Sequence, residues 1–458
     1  MKRRYDIGRP TSTLIRKIFS GVLSVALVFG PAIAPDAAFA LPHGGMVSKG
    51  KATLAYSTSS LLVTQSTSKA SFDWSSYNVK SGQSVVYKTP GSTSVSMNFI
   101  GGTQPAQMTG SVRSNGILEF MDANGIIFGS GSAVSAAGVM AFGSATPWGT
   151  PTGPVTNAGT IVLKTGGTAA LVGSSVANSG TIDAPGGTII LAAGTTVVPI
   201  VKTGSSSMSV ATTGGGTVDV SGILSAETAN GKTGSILLQS GMGSGVVSLD
   251  PTAVLDASAP TGGNGGNITI DAAEVVLDNA APIDVSAPYG TKGTVTIDPN
   301  LILYPLKNTL DVCNAAGLET IDGSQTSLTI GKTTTDPLTD TIILESNMNM
   351  ANGTNPSNWT PLGTSSSSAF TGTFNGNGHT VCGYTITAST ASTNGTGFVG
   401  YLGGGGIVEN LVVEGTVNGG IYGIIGGVVG FNASGGTVKY SYNTGAVTSS
   451  GCEVGGVV

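Results

Sequence analysis

Short segments in which aliphatic and polar residues alternate recur through the middle of the chain, and most of them follow a glycine turn. Between Val155 and Ile302 they include the segments 157–161, 178–182, 186–190, 216–220, 266–270 and 293–297. Alternation with a period of two is typical of strands with one buried face, and no helix-period stretch is long enough to connect parallel strands through helices. The first two segments start 21 residues apart, at Asn157 and Asn178, about one coil. The pattern predicts an all-β fold, a right-handed parallel β-helix (β-solenoid).

Two Asn-Gly pairs, Asn115-Gly116 and Asn124-Gly125, lie nine residues apart in the segment 110–129. Such pairs tolerate the positive φ angles of tight turns, and the residues between them are largely aliphatic or aromatic. The segment therefore predicts strand, turn, strand, turn, strand. Taken alone, this pattern indicates only a β-meander.

Three further motifs accompany these turns, at 41–45 (Leu-Pro-His-Gly-Gly), 74–79 (Trp-Ser-Ser-Tyr-Asn-Val) and 98–102 (Asn-Phe-Ile-Gly-Gly). Together, from Leu41 to Phe142, they resemble the haemagglutination-activity or secretion domain that begins filamentous-haemagglutinin-like exoproteins, the substrates of two-partner secretion. One departure is that Asp122-Ala123 stands before Asn124-Gly125, where the family usually has Asn-Pro. Aspartate can also bond back to a turn backbone, so we expect the turn to survive.

The resemblance implies a partner, an outer-membrane β-barrel transporter whose periplasmic domains recognise the secretion domain. It also implies a transporter-recognition or secretion motif made of Trp74, Asn78, Asn98, Gly101, Gly102, Asn115, Gly116, Asn124 and Gly125. In the family this domain occupies the amino-terminal end of the β-helix. It would then serve as an export address and a folding template.

The first forty residues have the pattern of a secretory signal. Six basic residues precede or begin a largely apolar stretch from Ile18 to Ile33, and Ala38-Phe39-Ala40 has the small residues of a cleavage site. The apolar stretch is short and interrupted by Gly30-Pro31, which disfavours a membrane anchor. We expect cleavage after Ala40.

Charge and cysteine content narrow the function further. Residues 1–40 hold six of the 19 Lys and Arg and two of the 24 Asp and Glu, which leaves 13 basic and 22 acidic residues, a net charge of −9. Arg113 is the one arginine after residue 40, so nucleic acid is not an expected partner. Three cysteines (Cys313, Cys382 and Cys452) do not make a disulfide framework, although one bridge stays open, and two histidines give no zinc spacing.

A second repeat follows a Ser/Thr/Asn/Gly-rich stretch. Val399-Gly400 aligns with Val429-Gly430 at an offset of 30, and Val417 aligns with Val447. These segments resemble the glycine-rich GLUG repeats of bacterial surface and secreted proteins. Because the repeat stops at Val458 before a coil closes, the sequence suggests a truncated product or a fragment. We therefore divide the chain into a signal peptide (1–40), a secretion domain (41–150), β-helix coils (151–302), a connecting β-rich segment (303–390) and GLUG-type repeats (391–458).

Aspartate follows an aliphatic residue at many strand ends, for example at Asp183, Asp256 and Asp284. One interpretation is a carboxylate ladder that binds Ca²⁺ or cleaves polysaccharide. The other is alternation, with the aliphatic residue inward and the aspartate outward as a turn cap. We favour the second because no basic residues accompany the aspartates.

These features predict an adhesin-type exoprotein, secreted or held at the bacterial cell surface, that is not an enzyme and has no catalytic residues, metal site or cofactor. Two alternatives stay open: a β-helical polysaccharide-active enzyme, and a haemolysin or contact-toxin exoprotein of the same export family. The receptor or glycan is not specified by the sequence.

Overall fold

The structure is a computed structural model that describes residues 3–4, 41–201, 208–277, 282–323, 325–352, 357–388, 394–420, 423–450 and 453–458. Nearly every regular element in these residues is a strand. The helices described are one α-helix, Ala315–Thr320, and two short 3-10 helices, Pro305–Lys307 and Met350–Asn352. None of the helices in this part of the chain could span a membrane. The predicted cleavage residues Ala38 and Ala40 lie outside the described residues.

Three long sheets, here called S1, S2 and S3, form the faces of a β-helix. The strands of S1 are Met46–Lys49, Lys69–Trp74, Val95–Ile100, Ile117–Asp122, Gly138–Phe142, Thr168–Gly173, Thr188–Ala193, Ser235–Gln239, Asn267–Asp271, Thr294–Asp298 and, on the last of these, Arg3–Arg4. Those of S2 are Ala52–Tyr56, Ser60–Gln65, Ser84–Lys88, Ser111–Ser114, Ala133–Ala136, Thr160–Leu163, Thr181–Asp183, Ile223–Ser225, Val254–Asp256 and Ile283–Asp284. Those of S3 are Asn78–Val79, Ala106–Met108, Ile126–Phe128, Val155–Asn157, Ser175–Asn178, Thr217–Val220, Val246–Leu249, Glu274–Leu277, Leu301–Tyr304, Thr309–Val312, Thr341–Leu344, Thr373–Asn375, Ile407–Glu409 and Thr437–Lys439.

Each coil of the first unit visits S1, S3 and S2 in that order, and successive coils pair in parallel. Asn157 is the register partner of Asn178, which confirms the predicted 21-residue coil. The strands around the two Asn-Gly pairs belong to S2, S1 and S3 respectively, so they pair with the coils before and after and not with each other. The β-meander interpretation was therefore wrong, and the turns are corners of one coil.

The predicted alternation fills the core of this unit. On Ser235–Gln239, Ile236 and Leu238 are buried in the same cluster as Ile268 and Ile270 of the next coil. β-branched and aliphatic side chains suit such a surface because each packs directly on its register neighbour. The parallel β-helix predicted from the pattern is confirmed, and its right-handed sense stays a prediction.

The amino-terminal end of the core is closed by strands that run against the coils. Met46–Lys49 pairs antiparallel with Lys69–Trp74, and Ala52–Tyr56 pairs antiparallel with Ser60–Gln65. Leu41, Val47 and Leu54 pack on the core from these segments. Such a cap shields the apolar end that an open solenoid would expose.

Part of the outer face of S1 is also apolar. A hairpin of Thr196–Val201 and Met208–Thr213 extends from the β-helix. Phe142 and Ile190 are buried there in a separate cluster that Trp148 partly covers. The ring centroids of Phe142 and Trp148 lie 4.9 Å apart.

A second unit begins where the chain reverses on S3. Leu301–Tyr304 pairs antiparallel with Thr309–Val312, after which the S3 strands are parallel again. Leu303 and Leu310 face the second core, whereas Ile302 faces the first. The two units therefore use opposite faces of one sheet. Reversing the strand direction alone would reverse the sense in which the coils wind, and so would moving the core to the other face of the sheet. Because both change here, the two units wind in the same sense.

The remaining strands complete the second unit. They are Met348–Asn349, Ser357–Asn358, Thr380–Thr387, Val412–Asn418, Tyr442–Asn443 and Val447–Thr448 in one sheet, the pairs Val399–Leu402 with Val429–Asn432 and Ile424–Gly426 with Glu453–Gly455, and the hairpin of Leu328–Ile330 and Thr333–Thr335. Val399 pairs with Val429 and Val417 with Val447, which confirms the offset of 30. The core runs through residues 303–390 and 391–458 alike, and the domain boundaries and the GLUG name stay predictions.

Candidate secretion site in the first coils

A buried amide organises the first coils. Asn98 is fully buried, and its Oδ1 accepts hydrogen bonds from Trp74 Nε1 at 3.0 Å and Tyr87 Oη at 2.7 Å. Its Nδ2 donates to the carbonyl oxygens of Ser96 and Glu119 at 3.2 and 3.1 Å. All four hydrogen-bonding positions of the amide are thus used, as a buried polar group requires.

Aromatic rings surround this amide. The Tyr77 and Tyr87 hydroxyls lie 3.0 Å apart, and burial raises the pKa of both phenols. Tyr77 packs edge-on against Trp74 and Phe120, with ring centroids 5.6 and 5.2 Å away. The cluster joins consecutive coils through both apolar and polar contacts.

The segment 41–45 lies over this cluster. His43 N donates to Ser76 O at 2.9 Å, and Ser75 N donates to His43 O at 2.9 Å. A Cβ on Gly45 would lie 2.3 Å from the Trp74 ring, so only glycine lets the backbone approach the indole this closely. The structure thus brings the motifs at 41–45 and 74–79 into contact.

The first Asn-Gly pair forms a corner at which the backbone lies very close to the preceding coil. Asn115 is exposed, its Oδ1 accepts from Thr89 N at 2.7 Å, and its Nδ2 donates to Thr89 O at 2.8 Å. The side chain therefore acts as an extra rung to the preceding coil. Gly116 does not have a positive φ, but a Cβ there would lie 2.6 Å from Ser94 O.

The second pair forms an Asx turn with the aspartate that precedes it. Asp122 is fully buried, and its Oδ1 accepts from Asn124 N at 2.8 Å while Oδ2 accepts from Ala106 N at 2.9 Å. Burial raises the pKa of Asp122, and these hydrogen bonds oppose the rise. Gly125 has φ 112°, and a Cβ there would lie 2.6 Å from Pro154 O. The expected survival of this turn is confirmed.

The other motif residues hold neighbouring corners. Asn78 is half-buried and accepts from Gln107 N at 3.2 Å. Gly101 N donates to Trp74 O at 2.8 Å, and the exposed Gly102 has φ 102° and accepts from Asn124 Nδ2 at 3.2 Å. All nine motif residues therefore lie in the first coils, but Trp74 and Asn98 are inside the core.

Sequence reasoning missed Tyr87 as part of this site, and it gave Tyr77 and Asp122 only as members of a motif and a turn, not as site residues. Tyr87 occupies a buried position in the alternating strand Ser84–Lys88, where a hydroxyl needs a partner. That position was a usable signal. The identity of its partner, Asn98, depends on stacking of the coils.

Aspartates at the S2 strand ends cap turns. Asp256 Oδ1 accepts from Ser258 N at 2.9 Å, and Asp284 Oδ1 accepts from Ser286 N at 2.7 Å. Within the described ranges, no three His, Cys, Asp or Glu side chains are arranged to hold a metal ion. Cys313 and Cys382 do not form a disulfide with each other, and Cys452 lies outside the described residues.

Comparison with known protein families identifies the family of this chain. Residues 38–270 match the family model of the TPS secretion domain, and this span is just over half of the 458 residues. The chain belongs to the TPS secretion domain family. TPS is two-partner secretion, so the chain is an exoprotein of this export route and is secreted or surface-exposed. The family match continues past residue 150, and no sheet is interrupted there.

Three individual proteins are similar over parts of their length. A heme/hemopexin-binding protein of Haemophilus influenzae is 29% identical over 101 residues, which are 22% of this chain and 11% of that protein. Halomucin of Haloquadratum walsbyi is 36% identical over 116 residues, 24% of this chain and 1% of that protein. The crystal structure of the HMW1 secretion domain from Haemophilus influenzae aligns over 89% of this chain and all of that one, at 16% identity and a TM-score of 0.41. The chain thus spans about a tenth or less of the two matched curated relatives.

Proposed function

We propose that this TPS exoprotein is an adhesin and not an enzyme. Its first coils act as export address and folding template, and the rest of the solenoid presents a long polar surface to a receptor or glycan on another cell. The observation that carries the export and template part of the proposal is the closed network at Asn98, which fixes the first coils beneath the cap at 41–45.

A template is needed because one coil is not stable alone. Ordering about 20 residues costs roughly 1–2 kcal/mol of backbone entropy each, more than the burial of a few aliphatic side chains returns. Each coil must therefore pair with one that is already folded. The first coils meet this need because their own end is capped and their polar groups are satisfied.

The motif residues divide into two roles under this proposal. Trp74, Asn98, Gly116 and Gly125 are buried and build the template. Asn115, Gly101 and Gly102 are exposed, and Asn78 and Asn124 are half-buried, so these five are accessible for recognition by the transporter after folding. If the transporter recognised the unfolded chain instead, all nine motif residues would be accessible to it.

The placement of the carboxylates supports a role other than catalysis. Asp256 and Asp284 are engaged by backbone N–H groups as turn caps, and burial raises the pKa of Glu119 while the charge of Lys69 opposes the rise. Glycoside hydrolysis needs two carboxyl groups flanking one bound sugar in a cleft.

An export and binding assay tests the proposal. Cells that carry the partner transporter should export the chain, and the labelled exported chain should bind to a panel of cells saturably, with an excess of unlabelled chain as competitor. Asn98→Ala should lower both the exported amount and its protease resistance, whereas Asn115→Ala should lower export with the protease resistance kept. Absence of saturable binding would overturn the adhesin role. Depolymerisation of a polysaccharide, abolished by Asp256→Asn with Asp284→Asn, would favour the enzyme.

A further inference from the structure

One ladder of outward-facing side chains runs along eight of the ten strands of S2. The register links Val86, Arg113, Ser135, Val162, Asp183, Ser225, Asp256 and Asp284 on eight consecutive coils. Their strand neighbours Val112, Ile161 and Leu255 are buried, so the ladder itself points away from the core. Its chemistry changes from one end to the other.

The amino-terminal end of this ladder is basic. Lys88, Arg113 and Lys164 line an open groove of about 500 Å³. Arg113 Nε donates to Ser111 Oγ at 3.2 Å, and Lys164 Nζ donates to Asn115 O at 3.3 Å, which holds both cations over the sheet. This groove holds the one arginine found after residue 40.

The other end of the ladder is acidic. Asp183, Asp256 and Asp284 occupy the ladder on three different coils, with Ser225 between the first two, and Glu227 lies beside Asp256. The pKa of Glu227 is raised to about 7 by burial and by the negative charges of Asp256, Asp183 and Asp284. The acidic end therefore concentrates charge that only a cationic partner would neutralise.

Small neutral residues separate the two ends. Ser135 and Val162 occupy the middle of the ladder, and Ala133 and Thr160 lie beside them on the same strands. Val162 has 40% of its surface exposed. A flat face of this kind can approach another sheet to the usual separation of about 10 Å.

We propose that S2 is a self-complementary surface through which two copies of this chain pair face to face with their axes antiparallel. The two-fold axis passes between Val162 and Asp183. It places Arg113 of one copy opposite Asp256 of the second copy, Ser135 opposite Ser225, and Lys88 close to Asp284. The basic end of each copy then faces the acidic end of the other, so every charge pair occurs twice, as a two-fold interface requires.

The second copy fits this surface better than a polyanion does. An anionic polymer in the basic groove would be repelled by the aspartates that continue the same ladder, whereas a second copy satisfies both ends. Eight coils about 4.8 Å apart and about four residues wide give roughly 500 Å² per copy, the low end for a specific interface. The pairing is therefore weak and sensitive to salt.

Sedimentation of the full exported chain tests the proposal. In EDTA at about 0.05 M salt, the chain should form a concentration-dependent dimer that dissociates at about 0.5 M salt. A basic-end variant (Lys88→Glu with Arg113→Glu) and an acidic-end variant (Asp256→Lys with Asp284→Lys) should each associate at least about tenfold more weakly. Mixed in equal amounts they should dimerise again, because each restores the opposite charge for the other. Lys307→Glu and Glu414→Lys, which lie on other surfaces, are the matched controls.

Orientation gives an independent test. In a chain whose own three cysteines are replaced by serine, Ser135→Cys and Ser225→Cys copies should cross-link to each other through a short bis-maleimide, and neither should cross-link efficiently to itself. A monomeric chain at low salt, or folded charge variants that fail to dimerise when mixed, would overturn the proposal. Self-cross-linking of Ser135→Cys would overturn the antiparallel arrangement. Dimerisation that needs Ca²⁺ would indicate a metal bridge in place of the charge pairs.

Discussion

At the scale of the residue, the motif side chains act mainly by completing the interior and the corners of the first coils. Asn98 shows this best, because its side-chain amide accepts hydrogen bonds from Trp74 and Tyr87, which lie on two other strands. Sequence alone cannot distinguish such a residue from a surface recognition residue. An asparagine near glycines fits a buried structural role and an exposed recognition role equally well.

Replacement of Asn98 by alanine should therefore destabilise the first coils. It leaves Trp74 Nε1 and Tyr87 Oη without their acceptor, at about 1–3 kcal/mol for each buried donor. We expect a loss of roughly 2–5 kcal/mol in the free energy of unfolding, measured by urea denaturation. Asn78→Ala, which removes one 3.2 Å bond from a half-buried side chain, is the control and should lose less than about 1.5 kcal/mol. Equal losses would contradict a structural role for the amide.

Gly125→Val should impair folding and export through two effects. It places a β-branched residue at φ 112° and puts a Cβ 2.6 Å from Pro154 O, so the cost should exceed about 2 kcal/mol. Gly82→Val is the matched control, because φ is 80° there and open space surrounds the Cβ. Thermal unfolding and the exported amount should both fall further for Gly125→Val. If the two variants behave alike, the contact with Pro154 has no importance.

At the scale of the element, stacking brings like side chains on successive strands together. Asparagines 157 and 178 stack favourably, since Nδ2 of the first donates to Oδ1 of the second at 2.8 Å. Near Glu227 the carboxylates stack unfavourably, and burial together with their negative charge raises its pKa to about 7. The same register thus stabilises one corner and strains another.

The strain near Glu227 predicts a dependence of stability on pH. A carboxyl whose pKa rises from 4.5 to about 7 on folding binds more protons in the folded state between these values. The contribution of this group to the free energy of unfolding should therefore be greatest below about pH 4.5, and it should fall as pH rises toward 7. Glu227→Gln should raise the melting temperature at pH 8 and flatten its decline between pH 5 and 8, whereas Glu414→Gln should leave the decline unchanged. An unchanged decline in Glu227→Gln would refute this origin.

At the scale of the whole molecule, two cores share the sheet S3. Leu310 and Ile302 are one strand apart, yet each is buried in a different core. The sheet is continuous in hydrogen bonding, but the side chains that stabilise the units are separate. The two units can therefore lose stability independently.

Leu310→Ala should loosen the second unit more than the first. The buried leucine leaves a cavity that costs about 2–5 kcal/mol. Hydrogen exchange should accelerate in Thr341–Leu344 and Thr373–Asn375 with little change in Thr168–Gly173, and Ile302→Ala should give the reverse profile. The same profile from both variants would mean that the units unfold as one.

The fold class and the coil length follow from the order of the amino acids alone. Alternation of aliphatic and polar residues specifies which side chains face inward, and the glycine turns specify where each coil bends, so the β-helix and the spacings of 21 and 30 residues could be read directly. The motif resemblance also identified the secretion domain. These properties are local in the chain, or repeat along it.

Which side chains meet between coils, and which face of a sheet is covered, depends on how the coils stack in the folded protein. The burial of Asn98, the charge gradient from Arg113 to Asp284, and the exchange of core faces on S3 depend on register between residues that are distant in sequence. A strand with alternating residues does not specify which of its faces meets which unit, because alternation is the same from either side. Stacking supplies that information, and with it the division of the motif into buried and exposed residues.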